Sequence, residues 1–163
     1  MDVYLIRHAD AAPLGEKGTT DDAERPLTPE GVQQAKVVAA GLQARGVRLT
    51  QLISSPLLRA QQTAEYIQNS WEGPAPELRL CDDLAPGGKL KRLGRLLRKS
   101  GAEAVGLVGH QPDIGRIAGW LIGDRKVQID FAKGGVACIH CVDGADKGLG
   151  TLIWLVTPEW LAK

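Results

Sequence analysis

The 163-residue chain lacks any apolar stretch long enough to cross a bilayer, which argues against a protein that spans a membrane by helices. It has only three cysteines, an odd number, which argues against a disulfide framework. It also lacks an excess of charge of either sign, because 20 basic residues face 19 acidic ones and the net charge is +1. No overall field therefore attracts nucleic acid or a membrane, and positive charges that matter must act locally.

An N-terminal signal peptide is not expected, because the first predicted strand begins at residue 3 and leaves no room for one. Together with the few cysteines, this predicts a cytoplasmic protein. The chain length and the ordinary contents of hydrophobic (44%) and charged (24%) residues predict one soluble domain over residues 1–163.

Several common catalytic motifs are also missing. The sequence has no glycine-rich dinucleotide fingerprint after the first strand, no GK[ST] phosphate loop and no G-x-S-x-G elbow. Cys138 and Cys141 have CxxC spacing, but alternation along a predicted strand at residues 136–142 places them on opposite faces. No second pair completes a tetrahedral metal site, so we interpret both as packing residues, and His140 as a strand side chain without catalytic role.

What the chain does have is a regular alternation of short apolar runs with helical patterns, which predicts an α/β fold with a mostly parallel sheet. The predicted strands cover residues 3–6, 51–54, 78–80, 104–109, 136–142 and 152–156. Helices are predicted from Pro29 with Thr28 as N-cap, from Pro56, along a stripe of leucines at residues 90–97, and over residues 112–122. The polar residues 9–27 form a connection of a length that is usually functional or disordered.

Cations and imidazoles stand where the apolar runs stop. Arg7 and His8 follow the first strand, Arg59 follows the second, and His110 follows the strand at residues 104–109. Ligands bind at the carboxyl edge of open α/β sheets. Two arginines and two histidines at one such edge predict a pocket for a dianion that contains a nucleophile.

Taken singly, two of these residues have ordinary explanations. With Ser55 as the predicted N-cap, Arg59 falls in the first turn of a helix, where the macrodipole disfavours a cation unless an anion sits beside it; the alternative is a surface arginine. His110 precedes a helix start, where it is a plausible phosphate donor, although a lone histidine is more often structural. The four residues together favour the anion site.

The predicted helix with the leucine stripe at residues 90–97 carries a run of cations on its other face. A solvated surface is the usual meaning of such a run, and a docking surface for an acidic partner is the alternative. The cations are Lys89, Lys91, Arg92, Arg95, Arg98 and Lys99.

Three segments resemble the histidine phosphatase superfamily in order and spacing: LIRHA at residues 5–9, SSPLLRAQQTA at 54–64 and GHQP at 109–112. The short length and the RPLT segment at residues 25–28 are similar to the small SixA-type phosphohistidine phosphatase branch. The resemblance implies a three-layer α/β/α, phosphoglycerate mutase-like fold. It also implies a phosphatase with no metal or other cofactor.

By the same resemblance, His8 is the nucleophile. Arg7, Arg59 and His110 hold the phosphoryl oxygens. Arg25 and Gln111 are further phosphate-binding residues. A phosphoryl group carries about −1.5 to −2 charge, which two arginines and a protonated His110 would match. His8 must be neutral to attack, so one of its ring nitrogens should donate a hydrogen bond.

Two positions depart from the superfamily pattern. Ala9 stands where a glycine is usual, and glycine permits backbone dihedrals that alanine resists. Asp82 and Asp83 stand near the place of the general acid of larger relatives, without a firm match. A missing acid favours a phosphoramidate on imidazole, whose nitrogen departs without forming an alkoxide.

Three functions follow as hypotheses. The first is a phosphatase for phosphohistidine on a signalling or phosphotransfer protein. The second is a broad phosphomonoesterase that uses Asp82 or Asp83 as acid. The third, a non-catalytic phosphate-binding adaptor, is disfavoured by the intact His8 and arginines. The expected partners are a phosphoprotein and phosphate-mimicking anions, and neither nucleic acid nor a membrane.

Overall fold

Strands and helices alternate along the chain, and the computed structural model describes residues 1–124 and 126–163. The strands are β1 (Asp2–Arg7), β2 (Gln51–Ser54), β3 (Glu77–Leu80), β4 (Ala104–Gly109), β5 (Val136–Cys141) and β6 (Gly150–Val156). The helices are α1 (Pro29–Ala44), α2 (Leu58–Asn69), α3 (Leu90–Ser100), α4 (Asp113–Leu121) and α5 (Pro158–Leu161). Short 3₁₀ turns cover Glu16–Gly18, Asp22–Glu24 and Asp82–Leu84.

The sheet has the strand order β3-β2-β4-β1-β5-β6. The first four strands in that order are parallel to one another, whereas β5 and β6 are antiparallel to their neighbours. Arg7 pairs with Gly109 and Ser54 pairs with Val108, so the carboxyl ends of β1, β2 and β4 share one edge. The mostly parallel α/β sheet predicted from the sequence is confirmed.

Successive residues of β1 point to opposite faces of the sheet, and both faces are covered. Val3 and Leu5 belong to a cluster with side chains of α3 and α4. Tyr4 and Ile6 belong to a second cluster with side chains of α1, α2 and α5. Burial on both sides explains why this strand is a continuous apolar run, since each such side chain contributes about 1.5–3 kcal/mol when it is fully buried.

The start of α1 is fixed by contacts with the segment that follows His8. The Thr28 hydroxyl oxygen accepts a hydrogen bond from the Gly31 N–H at 3.0 Å, which confirms Thr28 as the N-cap of α1. A Cβ on Gly31 would lie 2.0 Å from the carbonyl oxygen of Asp10. Only glycine allows the helix to approach the backbone behind the predicted nucleophile this closely.

The start of α2 was predicted wrongly. The helix begins at Leu58 with Leu57 as its N-cap residue, instead of at Pro56 with Ser55 as the cap. The reason is that the chain is still extended at Ser55, whose N–H donates to the carbonyl oxygen of Val108 at 2.9 Å. Ser55 is therefore not the N-cap of α2, and its hydroxyl contacts His110.

The cysteines of β5 lie where strand alternation places them. Cys138 packs in the layer of α1 and α2, and Cys141 packs in the layer of α3 and α4. His140 is exposed and its Nδ1 lies 2.7 Å from a carboxylate oxygen of Asp2. Among the described residues, no helix has both the length and the apolar character that crossing a membrane requires.

Candidate active site

His8, Arg59 and His110 meet at the carboxyl edge of the sheet. The backbone N–H of His8 donates to the Gly109 carbonyl at 2.9 Å, which places the two histidines on neighbouring strand ends. Their ring centroids are 5.1 Å apart, and the Arg59 Nε lies 3.3 Å from the His8 Nε2. They surround a cavity of about 250 Å³. Its described lining is Arg7, His8, Ala11, Arg25, Arg59, Pro86, His110, Gln111 and Lys133.

The His8 ring is held in one tautomer. Its Nδ1 donates to the carbonyl oxygen of Ala9 at 2.8 Å, which leaves the Nε2 lone pair facing Arg59. Burial, aided by the nearby His110, Arg59 and Arg7 and opposed by the Ala9 carbonyl, lowers the pKa of His8 to about 3. The imidazole is therefore neutral at physiological pH, as nucleophilic attack requires.

Alanine at position 9 does not disturb this geometry. The Ala9 N–H donates to the Thr63 hydroxyl oxygen at 3.1 Å, and that hydroxyl donates to the carbonyl oxygen of Arg59 at 2.6 Å. Thr63 thus connects the loop after His8 to the helix that carries Arg59. Thr63 belongs to the segment at residues 54–64 that carries the family resemblance, although no role was predicted for it.

His110 is tied to Ser55 instead of to a helix terminus. Its Nε2 lies 2.8 Å from the Ser55 Oγ, which itself accepts the Leu57 N–H at 3.3 Å. The Ser55 hydroxyl has one proton and two lone pairs, so it can pair with either tautomer of His110, and the contact fixes the orientation of the ring. The Nδ1 of the ring is buried and has no partner among the described residues.

The sequence led us to expect a protonated His110, whereas the structure favours the neutral ring. Burial, followed by the positive charge of Arg59, lowers the pKa of His110 to about 4. His110 is therefore a neutral imidazole, and the fixed positive charge of the site comes from the arginines and Lys133.

Arg59 and Arg25 share a carboxylate that the sequence did not reveal. Arg59, which is 5% exposed, donates from Nη1 to the Asp22 carbonyl at 2.7 Å and from Nη2 to its carboxylate at 3.1 Å. The Arg25 Nε lies 3.1 Å from the other carboxylate oxygen, within ion-pair distance but outside hydrogen-bond geometry. Asp22 thus balances two guanidinium groups beside the cavity.

Arg7 and Gln111 are oriented by the loop that precedes β5. Arg7 donates from Nη1 to the Phe131 carbonyl at 2.5 Å, and the Gln111 amide nitrogen donates to the Ile129 carbonyl at 3.0 Å. Lys133, a cavity-lining cation that no pattern indicated, contacts the Asp10 carboxylate at 2.5 Å. This loop therefore supplies both the support for Arg7 and an additional positive charge.

Asp82 and Asp83, the two candidate acids, are not brought to the cavity. Asp82 is exposed, and a carboxylate oxygen of Asp83 accepts the Lys89 N–H at 3.1 Å. Asp83 is therefore used to close the turn before α3, and Pro86 lines the cavity in its place. Across residues 1–124 and 126–163, no group of three or more histidine, cysteine or acidic side chains is arranged to hold a metal ion.

Unsatisfied polar groups concentrate at this one cavity. Among the side chains of the described residues, the buried nitrogen and oxygen atoms without a hydrogen-bond partner belong to Arg7, Arg25, His110 and Gln111. All four residues line the cavity. A buried polar atom without a partner costs about 1–3 kcal/mol. The unpartnered atoms of Arg7 and Arg25 are donors, so the cavity is suited to an anion with several acceptor oxygens.

The fold is a mostly parallel sheet, and arginines and histidines line a cavity suited to an anion at its carboxyl edge. These two features define a class of α/β proteins that act on phosphoryl groups. The chain belongs to the histidine phosphatase superfamily (branch 1), whose family model matches residues 3–85. The fold and this membership make it a phosphatase with a phosphoglycerate mutase-like architecture.

Individual relatives agree with this assignment over nearly the whole chain. An uncharacterized protein of Picosynechococcus is 35% identical and covers 99% of both chains. Phosphohistidine phosphatase SixA of Escherichia coli is 28% identical and covers 97% of this chain and 94% of its own. The structure of a protein histidine phosphatase SixA complexed with tungstate superposes with a TM-score of 0.83, at 27% identity and 99% coverage of both chains.

Proposed function

We propose that the protein hydrolyses phosphohistidine on a signalling or phosphotransfer protein, through a phosphorylated His8 intermediate. The observation that carries the proposal is the cavity around a neutral His8, where Arg7, Arg25 and His110 have buried nitrogen atoms without a hydrogen-bond partner. A phosphoryl group offers three acceptor oxygens and about −1.5 to −2 charge, which the arginine donors match.

In the first step, the His8 Nε2 lone pair attacks phosphorus and the bond from phosphorus to the substrate nitrogen breaks. The electron pair of that bond stays on the substrate nitrogen, and the substrate ring, which carries a proton on its other nitrogen, leaves as neutral imidazole. Phospho-His8 keeps its own proton on Nδ1. A water molecule then attacks phospho-His8, which releases inorganic phosphate and restores the neutral imidazole. Arg7, Arg59 and His110 hold the transferring group, and charge stabilisation of this kind supplies most of the catalysis in phosphoryl transfer.

The choice of phosphohistidine over a phosphate ester follows from the leaving group. An alkoxide needs a proton donor, whereas an imidazole nitrogen does not form an alkoxide. No carboxylate stands among the described residues that line the cavity, and Asp83 is engaged with Lys89. The 28% sequence identity with Escherichia coli SixA, a phosphohistidine phosphatase, supports the same substrate class.

A direct comparison of substrates tests this proposal. Hydrolysis of a histidine-phosphorylated phosphotransfer domain is measured beside a panel of small phosphomonoesters, with EDTA present because the proposed mechanism uses no metal. We expect kcat/KM to be at least about 100-fold higher for phosphohistidine, by the size of a missing catalytic donor.

Two variants act as controls in the comparison. His8→Asn should abolish hydrolysis of every substrate, and Asp83→Asn should leave phosphohistidine hydrolysis unchanged. Faster turnover of esters than of phosphohistidine, with a large loss in Asp83→Asn, would instead establish the phosphomonoesterase. Loss of activity in EDTA would contradict the metal-free mechanism.

A further inference from the structure

The outward face of α3 carries positive charge without compensation. Residues 89–99 contain six lysines and arginines and no acidic residue. Of the six, Arg98 pairs with Asp146 at 2.6 Å. No carboxylate lies within 4.0 Å of the other side-chain nitrogens in the part of the chain that the structure describes. These five are Lys89, Lys91, Arg92, Arg95 and Lys99.

Part of this face borders a concave surface, which we call the basic groove. It lies between α3 and the edge strand β3, has a volume of about 460 Å³, and has Arg92, Arg95 and Lys99 on its wall. Arg79 also lines it but pairs with Glu77 at 2.9 Å. Apolar side chains also line it, and two of them are unusually exposed, Leu80 at 52% and Leu96 at 37%. The groove therefore combines several cations with solvent-exposed apolar surface.

The basic groove is linked to the catalytic cavity by a series of concave surfaces, each of which shares a lining residue with the next. Arg92 and Arg95 also line a neighbouring depression of about 410 Å³ that extends to Arg116. Arg116 in turn shares a third concavity with Gln111, which lines the catalytic cavity. Along the chain, the groove residue Leu80 is only six positions before the cavity residue Pro86. A macromolecule that places its phosphoryl group in the cavity can therefore extend along the groove.

We propose that the basic groove binds an acidic segment of the phosphoprotein substrate, an inference that rests on the proposed phosphohistidine phosphatase activity. Complementary charge raises the association rate and selects partners more than it raises affinity. An acidic protein segment suits the groove better than an anionic membrane, because the apolar stripe of α3 (Leu93 and Leu97) is fully buried and cannot enter lipid.

Two synthetic phosphohistidine peptides of equal length provide the test. Each carries the phosphohistidine, a flexible spacer of about ten residues that reaches up to ~35 Å, and a block of either six glutamates or six glutamines. We expect wild-type kcat/KM to be about tenfold higher for the glutamate peptide at low salt. The preference should shrink as salt increases, because the Debye length falls from about 30 Å at 0.01 M to about 8 Å at 0.15 M.

Matched variants locate the effect. Arg92→Gln/Arg95→Gln/Lys99→Gln should lose the preference and hydrolyse the glutamine peptide like the wild type. Lys36→Gln/Arg48→Gln/Lys163→Gln removes the same charge from exposed positions, two of them (Lys36 and Arg48) on or just after α1, which packs on the other face of the sheet. This second variant should keep the preference.

Equal hydrolysis of both peptides by the wild type would overturn the docking proposal and leave the phosphatase function standing. Hydrolysis of neither peptide would contradict the proposed function itself. Fluorescence anisotropy with labelled, unphosphorylated peptides then decides on the groove alone, since only docking predicts tighter binding of the glutamate peptide. Sedimentation with phosphatidylserine vesicles at physiological salt, lost in the groove variant, would identify a membrane surface and overturn the proposal.

Discussion

Two hydrogen bonds give the two active-site histidines different tasks. The Ala9 carbonyl accepts a hydrogen bond from the Nδ1 of His8, so the Nε2 lone pair remains for the proposed nucleophilic attack. The Ser55 hydroxyl contacts the Nε2 of His110, whose buried Nδ1 has no hydrogen-bond partner among the described residues. Burial is the largest cause of the lowered pKa of both rings, so both imidazoles are neutral near pH 7. At the scale of single residues, these two hydrogen bonds therefore distinguish the proposed nucleophile from the second imidazole.

Arg59 is the residue whose loss should be most costly after His8, because it is buried and its Nε points at the His8 Nε2. We expect Arg59→Ala to lower kcat by about 100-fold or more, which is the cost of removing one preorganised donor. Phosphohistidine turnover under saturating substrate measures this loss. Arg48→Ala, at an exposed position, serves as the control and should stay within about twofold of the wild type. A fall of less than about threefold in Arg59→Ala would contradict the role given to this arginine.

The element that most shapes the site is the connection at residues 9–27. Its ends meet through a bridge between Ala11 and Leu27 and through the Thr28 N–H, which donates to the Asp10 carbonyl at 3.1 Å. The 3₁₀ turn Asp22–Glu24 then carries the Asp22 carboxylate onto Arg59. The length of this connection left function and disorder as alternatives, and its fold places an internal anion beside the cavity.

Asp22 should therefore oppose binding of anionic inhibitors. Its carboxylate occupies the donors of Arg59 and repels an incoming oxyanion, so Asp22→Asn should lower the inhibition constant of tungstate several-fold. Glu24→Gln removes the same charge from an exposed position on the same turn and should change the constant little. Weaker tungstate inhibition in Asp22→Asn would show that the carboxylate helps to orient the arginines instead.

The sequence predicted the parts of the fold and site that depend on periodic patterns. Apolar runs that are buried on both faces mark β1 and β4, and the residue after each strand must lie at the carboxyl edge, which locates His8 and His110. Asp22 and Lys133 reach the site through loops, whose path no periodicity encodes. Asp83 lies in the expected region of the chain, but its carboxylate accepts the Lys89 N–H in the turn before α3 and does not line the cavity.

At the scale of the whole molecule, a net charge of +1 hides a strong asymmetry. The layer of α3 carries a concentrated positive surface, whereas the arginines of the catalytic edge are partly balanced by Asp22. Two buried histidines line the cavity at that edge. Their burial links the stability of the entire fold to pH.

The free energy of unfolding should decrease as the pH falls below about 6.5. Both buried histidines have lowered pKa values in the folded protein, about 3 for His8 and about 4 for His110, whereas the unfolded chain protonates them near 6.5. Between these values the unfolded state binds more protons, so acid favours unfolding by up to about 1.4 kcal/mol per pH unit for each histidine. Urea unfolding at pH 7.5 and 5.0 measures the effect.

The variants for this measurement differ in which histidine is removed. His8→Asn/His110→Asn should lose much of the pH dependence, and His140→Asn, at an exposed position, should retain it. An equal slope in all three proteins would show that other groups control acid stability.

The central claim, that His8 becomes phosphorylated during turnover, is tested most directly by trapping the intermediate. The enzyme is mixed with a ³²P-phosphohistidine protein, quenched within milliseconds to seconds, and digested to locate the label. The account predicts an acid-labile phosphoryl group on His8 that appears and decays during turnover and is absent from His8→Asn. An acid-stable adduct, a label on another residue, or full activity of His8→Asn would contradict it.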